Sequence, residues 1–299
     1  MKKNSNHELD ERNHGNVFAW LGAPDVLTTH KLLAANYAPG TGDWFLNTDE
    51  YAHWKTATNS IMSLNGKCKS VQSQTTTHIS LFSRWLWKDL SQVKRQTFDL
   101  EYFSLLSSYA VIEDLRKQCV DGITVVAYFY FDIYEISKIT YSQLLTGLLS
   151  QLSTEFTEKC SPILQKLYAR FDNGKEPPFI QDILATLKDM LQLFKNVYIV
   201  IDGMDEVPDF GEVVGLLRTI SQWGRDGIHV FLTCNKDITE YPELKPLITH
   251  QYSVKEEETT KAMLLYTQHR YETEPPLGKW KEKGLPFLQQ YLPKRYEGS

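Results

Sequence analysis

Long apolar runs are missing from this chain. No stretch approaches the roughly 20 apolar residues of a membrane-spanning helix. The polar start from Met1 to Gly15 lacks the apolar core of a signal peptide and reads as a disordered tail. Cysteine is scarce: the four (Cys68, Cys119, Cys160, Cys234) lie far apart without a C-x-x-C pair, which excludes a disulfide framework and a zinc ribbon. The eight histidines show neither H-x-x-x-H nor H-E-x-x-H spacing, so they read as structural or surface residues. Positive charge is not in excess either. With 32 Lys and Arg against 37 Asp and Glu, the net charge of -5 offers no footing for nucleic acid or an anionic membrane. No segment repeats at a period of roughly 20–50 residues. What remains is the expectation of a soluble cytoplasmic protein.

The chain has 299 residues, 42% hydrophobic, enough for a substantial core in one or two domains. The most informative stretch begins at Asn196. Val197-Tyr198-Ile199-Val200-Ile201 is a short apolar, mostly β-branched run, the signature of a strand buried on both faces in a parallel sheet. It runs into Asp202-Gly203-Met204-Asp205-Glu206. Carboxylates at the carboxyl end of such a strand sit where open α/β sheets bind ligands. Three so close together repel one another unless a cation such as Mg²⁺ offsets them. The plainer alternative is a strand entering an acidic turn.

Periodicity supplies the surroundings. Ile123 to Phe131 and Ile228 to Thr233 read as further strands, and Ile61 to Leu64 as a short one. Helices are predicted over 105–115, 141–156, 161–171, 179–194 and 213–223. Ahead of them, Thr28 or Thr29 is positioned to cap a helix carrying Leu32, Leu33 and Tyr37, and Thr48 another carrying Tyr51 and Trp54. These aromatics read as core. Ser253 to Glu256 looks like a capping box opening a last helix. Strands alternating with helices predict a doubly wound parallel sheet.

Several stretches together resemble one family, the NACHT-type STAND P-loop NTPases of fungi, whose shared block is called the nephrocystin-3-like N-terminal domain. They are His30 with Leu33; Gly40-Thr41-Gly42-Asp43-Trp44-Phe45-Leu46 with Glu50 and Trp54; Leu106-Ser107-Ser108 and Val111 to Leu115; Ala127 to Asp132; Val200 to Glu206; and Ile228 to Thr233. The resemblance implies a three-layer α/β P-loop core behind a short helical lead-in. It also implies an ATP/ADP-dependent signalling switch whose exchange biases a packed monomer towards an oligomer, with at most slow ATPase or GTPase activity. By position, Asp202 would hold Mg²⁺, and Asp205 with Glu206 would polarise the attacking water.

The pattern breaks in two places. A phosphate-binding loop needs G-x-x-x-x-G-K-[ST], because its backbone N–H groups approach the phosphates closely. The candidate is Ser63 to Ser70: Lys69 and Ser70 fit its end, the latter as a second Mg²⁺ ligand, and Gly66 fits inside. Ser63 and Cys68 stand where the motif has glycines. Roughly 35 residues then separate Ser70 from Leu106, where the family places the helix almost at once. The glycine-free block 71–103 reads as sequence inserted at the level of the gene. After the third strand, Thr233-Cys234-Asn235-Lys236 replaces the family's threonine-serine-arginine, leaving Asn235 as a neutral phosphate contact.

The expected layout is a tail over 1–15, a helical lead-in over 16–58, a NACHT-like core over 59–252 carrying the insertion 71–103, and a truncated helical segment over 253–299. The expected partners are nucleotide and either other proteins or further copies of the chain, with no nucleic acid and no membrane. The alternative is a nucleotide-independent interaction module, or a truncated product without function.

Overall fold

The computed structural model describes residues 17–66, 100–131, 140–234, 237–274, 281–282 and 286. Its centre is a parallel sheet of five strands: β1 (Ser60–Gly66), β2 (Thr124–Tyr130), β3 (Asn196–Asp202), β4 (Ile228–Cys234) and β5 (His250–Val254). They lie in the order β2-β3-β4-β1-β5. Residues 124–130 and 228–234 are buried throughout, because helices cover both faces of the sheet. The doubly wound α/β expectation is met, and the sheet flanked by helices is consistent with a three-layer P-loop NTPase type of fold.

The lead-in comprises a short helix over 17–21, then α1 (Val26–Asn36), a single turn at Asp43–Leu46, and α2 (Asp49–Thr56). Thr48 caps α2 as predicted, accepting from the Tyr51 N–H at 3.2 Å. At α1 the cap is Asp25, not Thr28 or Thr29: Asp25 Oδ1 accepts the Thr28 N–H at 3.1 Å, and Thr28 lies inside the first turn. The predicted aromatic face is core. Phe45, Tyr51 and Trp54 are fully buried and pack on Phe231 of β4, directly or through one another, and Trp54 Nε1 donates to the Val230 carbonyl at 3.1 Å.

Helix α3 (Leu100–Arg116) lies on the same side of the sheet, beside β2 and β3. It begins inside the block read from sequence as an irregular insertion; residues 71–99 of that block lie outside the described residues. Gly42 of the glycine-threonine-glycine segment rests on this helix. A Cβ there would overlap the Ala110 side chain, so the glycine serves close approach of lead-in to helix.

Helices α4 (Tyr141–Glu155), α5 (Thr157–Arg170) and α6 (Ile180–Leu191) pack together, and α4 lies against β2. From α4, Gln151 Oε1 accepts the Tyr128 N–H at 3.1 Å while its Nε2 donates to the Tyr128 carbonyl at 2.6 Å. One side-chain amide thereby stands in for a neighbouring strand on the open side of β2, where unpaired buried backbone groups would be costly. Helix α7 (Phe210–Gln222) buries Val213, Val214, Leu216, Leu217 and Ile220. Beyond β4 the predicted capping box is displaced. Ser253 belongs to β5, the cap of α8 (Glu256–Thr273) is Lys255, and Glu258 accepts the Lys255 N–H at 2.9 Å.

Candidate functional site

Register places the site. Tyr130 pairs with Asp202, Leu64 pairs with Thr233, and Ile201 pairs with Leu232, so Asp202, the last residue of β3, and Thr233, the last but one of β4, lie at one level. Asp202 is 2% exposed and turns towards α3. Ser104 and Ser108, one helical turn apart, share the α3 face that looks at it. Asp202 Oδ1 accepts from Ser104 Oγ at 2.8 Å, Ser108 Oγ at 2.5 Å and Thr233 Oγ1 at 2.8 Å. Thr233 Oγ1 also lies 3.0 Å from Ser104 Oγ and accepts the Gly203 N–H at 2.8 Å. The three hydroxyls hold the carboxylate to both the helix and β4.

Burial pushes the Asp202 carboxyl above its ordinary value, against the lowering effect of the three hydroxyl bonds; the charge of Asp205 adds to the rise. Gly203 makes the following turn possible. Its φ of +69° is left-handed, and a Cβ would come within 3.1 Å of the Phe131 carbonyl and 3.4 Å of the Glu206 carboxyl carbon. The chain then closes a short turn over Met204–Glu206, with Met204 fully buried below it. Tyr241 Oη donates to Asp205 Oδ2 at 3.2 Å. All three predicted acidic residues therefore gather at the carboxyl edge of β3.

The exit of β1 is built differently. Ser63 lies within the sheet, opposite Leu232 on one side and Gln251 on the other, and the strand continues to Gly66 opposite Val254. A residue in two ladders cannot open a phosphate-binding loop, so the first motif position cannot be Ser63; Gly66, the last strand residue, is the first that can turn away. Ser63 Oγ donates to Asn65 Oδ1, both residues are fully buried, and Asn65 Nδ2 has no partner among the described residues. Because β4 separates β1 from β3, two strand spacings, roughly 10 Å, lie between the two ends. Lys69, Ser70 and Asn235, with Cys68 and Lys236, lie outside the described residues.

Oxygen donors from a carboxylate and hydroxyls suit Mg²⁺. The hydroxyls found beside Asp202 are those of Ser104, Ser108 and Thr233, and the sequence named none of them for the site. A signal was present: the G-K-[ST] motif ends in a hydroxyl residue that opens a helix, and Ser104 and Ser108 are spaced to share one helical face.

Residues 104–235 match the family model described as Nephrocystin 3, N-terminal. No curated protein matches the chain. The matched region opens at the serine bonded to Asp202 and closes just beyond β4; β1 lies outside it. The portion of the chain that carries the acidic strand and its hydroxyl cluster is therefore similar to the nephrocystin-3 N-terminal family.

Proposed function

We propose that this chain is a NACHT-like signalling module whose sheet edge responds to ATP or ADP with Mg²⁺. The observation that carries the reading is the bond from Ser104, near the start of α3, to Asp202 at the end of β3. Bound Mg²⁺ and nucleotide would supply the charge that draws the sheet edge and helix together. The chain's own part is to keep Asp202 and Ser104 in contact, Asp202 ready as a ligand and Ser104 beside it. Asp205 and Glu206 would orient the attacking water. In this reading exchange alters how α3 sits on the sheet, and self-association or a protein partner reads the change.

A second reading, a nucleotide-independent interaction module, is favoured by the place of Ser63 inside β1, which leaves the 63–70 frame without its leading loop glycine. Melting the full chain with millimolar Mg-ATP, Mg-ADP and Mg²⁺ alone separates the two. The switch requires a nucleotide-dependent rise of several degrees that Asp202→Asn abolishes. Equal melting curves in all three conditions would leave the interaction module.

A further inference from the structure

A buried polar chain runs from the helical lead-in towards Asp202. His30 of α1 is 6% exposed and lies between β2 and α3. Its Nδ1 is 2.9 Å from Tyr130 Oη, and its Nε2 is 3.0 Å from Glu113 Oε1. Tyr109 of α3 and Tyr128 of β2 flank the imidazole at ring-centre distances of 5.0 and 4.6 Å. Arg116 reaches the same place: its Nη1 lies 3.4 Å from Glu113 Oε1 and 3.3 Å from His30 Nε2, and its Nη2 donates to Tyr128 Oη and to Glu155 Oε1 of α4.

The chemistry of the partners assigns the protons. A carboxylate only accepts, and Glu113 Oε1 is the nearer neighbour of Nε2, so Nε2 carries the hydrogen towards Glu113 and Nδ1 accepts from the Tyr130 hydroxyl. The 3.3 Å approach of the donor Arg116 Nη1 to Nε2 is not a hydrogen bond. Burial lowers the His30 pKa, which keeps the ring neutral and leaves it one donor and one acceptor. Tyr130 is the β2 residue paired with Asp202, on the side of the sheet that faces α3. Glu113 belongs to the helix that supplies Ser104 and Ser108. The two ends of the chain are thus the strand beside Asp202 and the helix that holds Asp202.

We propose that His30 is a positioning residue for the Asp202 site, a bolt from the lead-in that sets how the first turns of α3 sit against the β2–β3 edge. Undocking α1 would then loosen the Ser104 and Ser108 bonds to Asp202, so a partner that pulls on the lead-in gains control of the site. The identity of the site as a nucleotide switch rests on the reading above, but the bolt itself does not.

Hydrogen exchange on the full chain without nucleotide tests the bolt, so its failure and that of the nucleotide reading are distinguishable. His30→Phe keeps the ring's bulk and removes both bonds. Exchange at 104–112 is expected to quicken about tenfold, with residues 228–234 unchanged. Tyr130→Phe should give the same pattern, and the double variant no more than either alone. His30→Gln, whose amide can donate to Glu113 while its oxygen faces Tyr130, should restore at least part of the protection. Should His30→Phe fail to fold, Tyr130→Phe carries the test. Faster exchange confined to 26–36, or additive effects in the double variant, would overturn the proposal, since His30 would then merely pin its own helix.

Discussion

The carboxyl ends of β3 and β1 lie in one sheet, two strands apart, and are built to opposite standards. At β3 a carboxylate is held by three hydroxyls from two elements, and a left-handed glycine turns the chain so that Asp205 and Glu206 stay near. At β1 the strand runs two residues past the level of Asp202 and ends on a single glycine, with a serine locked in the ladder behind it. The family match covers the first end and not the second. Among the described residues, the carboxylate is held by its own strand, α3 and the next strand. The contacts around Asp202 come from α3 and β4, and no bond between Asp202 and β1 is found among the described residues.

Four changes would break or sharpen this contrast, taken from the largest effect downward. Asp202→Ala leaves Ser104, Ser108 and Thr233 without their common acceptor and should cost about 3–4 kcal/mol in urea unfolding. A neutral result would mean that the cluster is not what holds α3 to the sheet. Next, replacing 67–103 with a glycine-rich loop that ends in Gly-Lys directly before Ser104 should repair the β1 end alone. Mg-ATP at a hundredfold excess over its Kd would then stabilise the chain by about 2.7 kcal/mol, seen as a rise in Tm. No rise would place the defect at the acidic end instead.

Gly42→Ala should cost about 2 kcal/mol, because its new Cβ meets Ala110. Ala110→Gly in the same chain should recover most of the loss; failure to recover would mean that lead-in and helix are not coupled there. The smallest effect is on pH dependence. The folded Asp202 carboxyl titrates above its ordinary value of 3.8, so within that window the folded state binds more protons than the unfolded one. Stability should therefore fall as pH rises through the window, by this group's share, and Asp202→Asn should remove that share. Unfolding both chains in urea across mildly acidic to neutral pH checks the sign.

Much of this was readable from residue order. The runs at 123–131, 197–201 and 228–233 are rich in β-branched and aromatic residues, and each contains a buried strand, the first over Thr124–Tyr130 with Ile123 exposed ahead of it. The helix over 105–115 announced itself through Leu105, Tyr109, Ile112 and Leu115. The strand β5 did not, since His250-Gln251-Tyr252-Ser253-Val254 buries only Tyr252 and has no apolar run to display. The α1 cap was misread because Asp25, Thr28 and Thr29 are all good caps, and only backbone direction selects among them. Ser63 was aligned to a loop because a motif is counted along the chain, whereas a ladder on both sides of it is visible only in space.

By itself the sequence determined the class of fold and the acidic strand, because burial and period are local properties of the chain. It also contained the three carboxylates that meet at one edge. Only the tertiary structure decided that Ser104 and Ser108 stand beside Asp202, that Gln151 seals the open side of β2, and that His30 bridges two elements. Each of those contacts joins residues more than 20 positions apart, and such pairs are chosen by how helices settle on a twisted sheet rather than by neighbours in the chain.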